Sequence, residues 1–119
     1  VVASPAGAAV ARSLGFRTVY TLRPGQSLGL LGGRLTVQGT EGALVGPPWS
    51  QRELGVILRE GGLREGGASL YYEPHADCLP QSVERAVAAG GPVDVAVLPP
   101  TSQLLLGYPL VRCWRGRRR

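Results

Sequence analysis

Residues 54–98 read LGVILREGGLREGGASLYYEPHADCLPQSVERAVAAGGPVDVAVL, and the order of patterns within them decides the fold. Leu54 to Arg59 is a short apolar strand, Gly61 to Gly67 a glycine-rich turn, and Ala68 to Tyr72 pairs back as a hairpin. A loop from Glu73 to Pro80 follows. The spacing of Val83, Ala86 and Val87 then predicts a helix over about Gln81 to Ala89, ended by Gly90-Gly91. Pro92 to Leu98 is a near-continuous apolar run, the pattern of a strand covered on both faces, and Pro99-Pro100 stop it. Hairpin, helix and strand in this order predict an α/β class fold with a sheet of mixed direction and helices on one face.

The residues upstream extend the same architecture. Val1 to Ala3 can end a buried strand. Ser4-Pro5 reads as an N-cap followed by proline at the first helical position, and Ala8, Ala9, Val10, Ala11 and Leu14 continue a small-residue helix to Gly15. Thr18 to Leu22 is β-branched and aromatic, and Arg23 to Gln26 is a turn. Leu28 to Leu31, the Gly32-Gly33 turn and Arg34 to Gln38 form a second hairpin. Arg34, Thr36 and Gln38 alternate there with Leu35 and Val37, so one strand face is expected to meet solvent or a polar site. Residues 39–53 break the pattern. Pro47-Pro48 exclude a central strand, so a long loop is expected, with Trp49 as its buried anchor and a stacking or lid contact as the alternative.

Composition narrows the functional classes. A chain of 119 residues holds one core, and 44% hydrophobic with 18% charged residues is a globular balance. No apolar run reaches the roughly 20 residues of a membrane span, so no membrane role is expected. All thirteen basic residues are arginine, and five of them, from Arg112 to Arg119, lie in the last eight positions; the remaining basic and acidic residues balance. The net charge of +5 therefore belongs to the tail. Residues 112–119 are read as a solvated, disordered end, and nucleic-acid binding through them as the lesser expectation. Cys78 and Cys113 have neither CxxC nor zinc-finger spacing and are expected to be free thiols in a reducing compartment. A chain that starts Val1-Val2 and contains no Met is expected to continue upstream.

The densest group of ionisable residues is the loop after Ser69-Leu-Tyr-Tyr72, with Glu73, His75, Asp77 and Cys78. Loops at the C-terminal ends of strands are where layered α/β folds place ligands. His75 with Asp77 or Glu73 suits either a metal ligand with its orienting carboxylate or a general-base pair. The same residues also occur on ordinary solvated loops. Neither a GxSxG nucleophile elbow nor a GxxxxGK[ST] phosphate loop is present.

Taken in order, VVASPAGAAVARSLGF, LRPGQSL, GALVGPPWSQRELGVILRE, SLYYEPHADC and PVDVAVLPPTSQLLLGYPLV resemble the middle of a metallo-β-lactamase-fold protein, over residues 1–111. The resemblance is to the cyanobacterial and plant-plastid branch of metal-dependent hydrolases. It implies a four-layer αββα sandwich, of which this chain forms part, with zinc at one edge of the two sheets. It also implies a small-molecule substrate and a chloroplast or cytoplasmic location. The family's HxHxDH cluster would fall upstream of Val1 and its last His beyond the point where the Arg-rich tail begins. A further family His would fall near Gly39 to Gly46, which holds Glu41 and no His. The family's Asp falls within Glu73 to Asp77, which makes His75 and Asp77 the candidate metal ligands. A half-sandwich is also expected to self-associate, because Val56, Leu58, Val95 and Val97 would lack a covering layer. The alternative reading is a non-catalytic binding protein that keeps the fold.

Overall fold

The computed structural model describes residues 1–44, 47–63, 65–73, 75 and 79–98. Asp77, Cys78, Cys113 and the Arg-rich tail lie outside them. The described chain is α/β, with two helices, a two-stranded sheet and a mixed five-stranded sheet.

The two-stranded sheet is a small β-α-β unit. Strands β1 (Val2–Ala3) and β2 (Tyr20–Thr21) run parallel, joined by helix α1 (Pro5–Ser13). Ser4 caps α1 as its sequence predicts, its hydroxyl accepting from the Gly7 amide at 3.3 Å with Pro5 at the helix start. Ala8 and Ala11 are the buried positions of α1. The helix packs on β1 and β2. This corrects the expectation of one sheet with both helices on one face, because β1 and β2 form a sheet of their own.

The five-stranded sheet runs in the order β3 (Ser27–Leu30), β4 (Leu35–Glu41), β5 (Leu54–Glu60), β6 (Ser69–Tyr72), β7 (Val95–Val97). The first three pairings are antiparallel; β7 lies parallel to β6 after the crossover through α2 (Pro80–Gly90). Both predicted hairpins are present. The first turns through a single 3-10 turn at Leu31–Gly33, with Leu31 at φ 53°. β4 also runs three residues further than expected. Its ladder continues past Glu41 through Gly42 N–H to Glu53 O at 2.9 Å and Glu53 N–H to Ala43 O at 2.8 Å, so the long loop begins after Ala43 rather than at Gly39.

Alternation along the paired strands sorts their side chains onto two faces. Thr36, Gln38, Ile57, Arg59, Ser69 and Tyr71 share one face, and α2 lies over it. The apolar core there is Ile57, Tyr71 and Ala86, flanked by Val83 and Val93. Polar groups then hold the helix along its length. The Ser82 hydroxyl accepts from the Glu41 amide at 2.8 Å, Gln38 Nε2 donates to Ala86 O at 3.1 Å, and Arg59 donates to Gly91 O and Pro92 O at 2.8 Å each. The last pair holds the two carbonyls of the chain just beyond the helix end at Gly90. Gly90 is required at this contact, since a Cβ there would stand 2.7 Å from Arg59 Nε. The alternating polar residues Thr36 and Gln38 are thus buried, as the surface on which the helix docks.

The opposite face carries Leu28, Leu30, Leu35, Val37, Leu54, Val56, Leu58, Leu70, Tyr72, Val95 and Val97. Among the described residues no helix packs on it; α1 sits on β1 and β2, and α2 on the other side. Val95 and Val97 are 54% and 45% exposed, which corrects the expectation that β7 is covered on both faces. Among the described residues β7 is an edge strand, and an apolar run of this length fits an edge with one open face as well as it fits a buried centre.

Candidate functional site

The loop leaving β6 begins as an extension of the sheet, with Glu73 N–H donating to Val97 O at 3.2 Å. The alternation that buries Tyr71 also turns the Glu73 side chain inward, and Glu73 is 1% exposed. Its carboxylate accepts from the Tyr71 hydroxyl and from the Ala43 amide, each at 3.2 Å. Burial pushes the Glu73 carboxyl above its ordinary range. The Ala43 amide, the Tyr71 hydroxyl and the His75 amide pull it back, and the charge of Glu53 adds to the rise. Gly55 makes room for this group, since a Cβ there would run into both Glu73 Oε2 and Thr40 Oγ1. The Thr40 hydroxyl is buried and has no hydrogen-bond partner among the described residues.

His75 stands two residues on, at the rim. Its Nδ1 lies 2.5 Å from Glu53 Oε2, and both side chains are partly exposed. Where Nδ1 carries the hydrogen and donates it to Glu53, a neutral ring keeps its lone pair on Nε2. The pair orients an imidazole as a base or a ligand would require. Glu53 reaches this position because the β4–β5 ladder continues to its amide; in the sequence it reads only as the end of a loop.

The second candidate ligand, Asp77, lies outside the described residues, as does Cys78. Among the described residues no three His, Cys, Asp or Glu side chains converge on a point where a metal ion would sit. A hydrolytic zinc takes at least three protein ligands and keeps a position for water. His75 with Glu53 supplies two donors, and Glu73 is buried against Tyr71 and Ala43. The described residues by themselves thus supply two of the donors such a centre would take.

Two other groups were not legible as site residues. Arg59 is 5% exposed inside an apolar strand, and burial lowers its pKa while Asp94 raises it. Asp94 is itself held below the usual carboxylate range by the Ser69 hydroxyl and amide. Both border an open cleft of about 470 Å³ with Gly62, Gly66, Gly67 and Gly91. Arg59 spends its terminal nitrogens on backbone carbonyls, so this cleft offers a ligand little unused charge. The signal that could have found Arg59 was a lone arginine in the run Leu54 to Arg59. Trp49, expected as a buried anchor, is 85% exposed, which corrects that reading; the turn Pro47 to Ser50 projects it outward. No helix among the described residues is long and apolar enough to cross a membrane.

Compared with protein-family models, curated proteins and solved structures, the chain matches none.

Proposed function

We propose that this chain is a non-catalytic interaction module built on a metallo-β-lactamase-like layer, and that it works through the uncovered face of its five-stranded sheet. The observation that carries this reading is the inequality of the two faces. One is closed by α2 through apolar packing and directed hydrogen bonds; the other is apolar from β3 to β7 and among the described residues no helix lies upon it, with Val37 and Gly39 buried but Tyr72, Val95 and Val97 exposed. Exposed apolar surface of this extent marks an interaction site in a chain that persists in water. Among the described residues the His75–Glu53 pair supplies only two of the donors that a metal able to activate water would take.

A second reading is favoured by one observation, the place of His75 at the exit of β6. There the chain would be part of a metal-dependent hydrolase, with His75 and Asp77 as zinc ligands and a small-molecule substrate at that edge. Zinc would supply a water of lowered pKa.

Metal analysis separates the two. The chain is equilibrated with zinc, passed through gel filtration and assayed on ester and phosphodiester model substrates. The interaction reading expects well below one zinc per chain, the same content in His75→Ala, and no hydrolysis above background. One zinc per chain that is lost in His75→Ala, or hydrolysis lost with it, overturns that reading in favour of the hydrolase.

A further inference from the structure

We infer that one water molecule is bound between the sheet and the end of α2, accepting a hydrogen bond from Arg59 Nε–H and donating one to Gln38 Oε1. Both atoms are buried and have no hydrogen-bond partner among the described residues. Gly90 marks where they meet: a Cβ there would stand 2.7 Å from Arg59 Nε and 3.2 Å from Gln38 Oε1. The two atoms are therefore no more than about 6 Å apart, the reach of two hydrogen bonds of about 2.9 Å through one oxygen. Buried polar groups that lack a protein partner are met in folded chains by ordered water. The inference is independent of the interaction reading, which concerns the other face of the sheet.

The rest of each side chain holds the two atoms where they are. Gln38 Nε2 donates to Ala86 O at 3.1 Å, which fixes the amide with its oxygen beside Gly90. Arg59 donates through its terminal nitrogens to Pro92 O and Gly91 O at 2.8 Å each, so Nε cannot turn to another acceptor without breaking them. The spot presents one donor and one acceptor, and its occupant must do the reverse at each. A metal ion offers nothing to the Nε–H, and an anion is repelled by the amide oxygen; water satisfies both. Gly90 gives the room, because any other residue would put a Cβ against Arg59. Access is short: Arg59, Gly90 and Gly91 line the open cleft of about 470 Å³, and Gln38 lines a second cleft of about 330 Å³ with Ala86 and Ala89. Such a bridge joins β4 to β5 beneath the last turn of α2 and completes the hydrogen bonding of a buried guanidinium.

The test is proton NMR of the full chain, labelled with the heavy nitrogen isotope, reading the Arg59 Nε–H signal against the water frequency. The expected result is a dipolar cross-peak between Arg59 Hε and water, of opposite sign to the diagonal in the rotating frame. That sign separates a bound molecule from simple proton exchange. Gln38→Met keeps the side-chain length and removes the acceptor. It is expected to weaken the cross-peak by about threefold or more while the circular dichroism spectrum is unchanged. Absence of the cross-peak in the parent chain overturns the proposal. So does a scalar coupling across a direct hydrogen bond from Arg59 Nε to the Gln38 side-chain carbonyl, or a cross-peak unchanged in folded Gln38→Met. The parent spectrum decides even where Gln38→Met fails to fold.

Discussion

Ile57 and Leu58 are neighbours in β5 and point to opposite sides of the sheet. Ile57 is fully buried beneath α2, in contact with Tyr71 and Ala86, whereas Leu58 is half-buried on a face that no described helix covers. The same contrast separates Tyr71, 5% exposed, from Tyr72, 45% exposed, in β6. The closed face contains the polar residues, and the open face is nearly all apolar. A helix can be fixed in place by a few directed bonds from Gln38, Arg59 and Ser82, while an apolar face has no directional demand and accepts any complementary layer. The difference teaches that polarity alone does not say which side of a strand is inside.

The largest effect expected to sharpen this contrast is Ile57→Ala. It removes a fully packed side chain with neighbours on all sides and is expected to cost about 2–4 kcal/mol. Leu58→Ala, measured in dilute monomer, is expected to cost less than half as much, because part of that side chain already meets water. Chemical denaturation of both variants is the check. Equal costs would mean that the open face is covered in solution.

Arg59→Leu tests the helix fastening. It leaves Gly91 O without its Arg59 donor and Pro92 O with the Ser69 hydroxyl alone, while removing a charge whose burial is itself unfavourable, so the expected net cost is about 1–3 kcal/mol. Hydrogen exchange in the last turn of α2 is expected to quicken more than in its first turn, where Ser82 remains in place. Uniform acceleration along the helix would contradict a local role.

The smallest effect belongs to Glu73. Its carboxyl pKa is raised by folding, so the folded state binds the proton more tightly than the unfolded chain. Its contribution is fully present below the ordinary carboxyl range and is lost as pH rises through the elevated folded value. Glu73→Gln removes that loss. Its melting temperature is expected to exceed that of the parent by a few degrees at pH 7–8 and to match it near pH 4. A variant less stable at pH 8 would show that the ionised carboxylate is needed.

The parts of the fold legible in the sequence were those set by local chemistry. Ser4-Pro5 started a helix, Gly90-Gly91 ended another, and the two hairpins followed from apolar runs broken by glycine. The parts that were not legible depend on what packs against them. The run Val95-Ala-Val97 reads alike in a buried strand and in an edge strand with one open face. Trp49 has the composition of an anchor but belongs to a turn that projects it outward. In the site, His75 was read from its loop position, whereas Glu53 was invisible as its partner because the pairing arises from the β4–β5 register across 22 residues of chain. The resemblance to metallo-β-lactamase-fold proteins directed attention to metal chemistry, and the zinc assay above is its test.

The inequality of the two faces is tested most directly by hydroxyl-radical footprinting of Tyr71 and Tyr72 in the same dilute sample. The account predicts that in dilute protein Tyr72 is oxidised several times faster than Tyr71. Equal oxidation of the two tyrosines would contradict it.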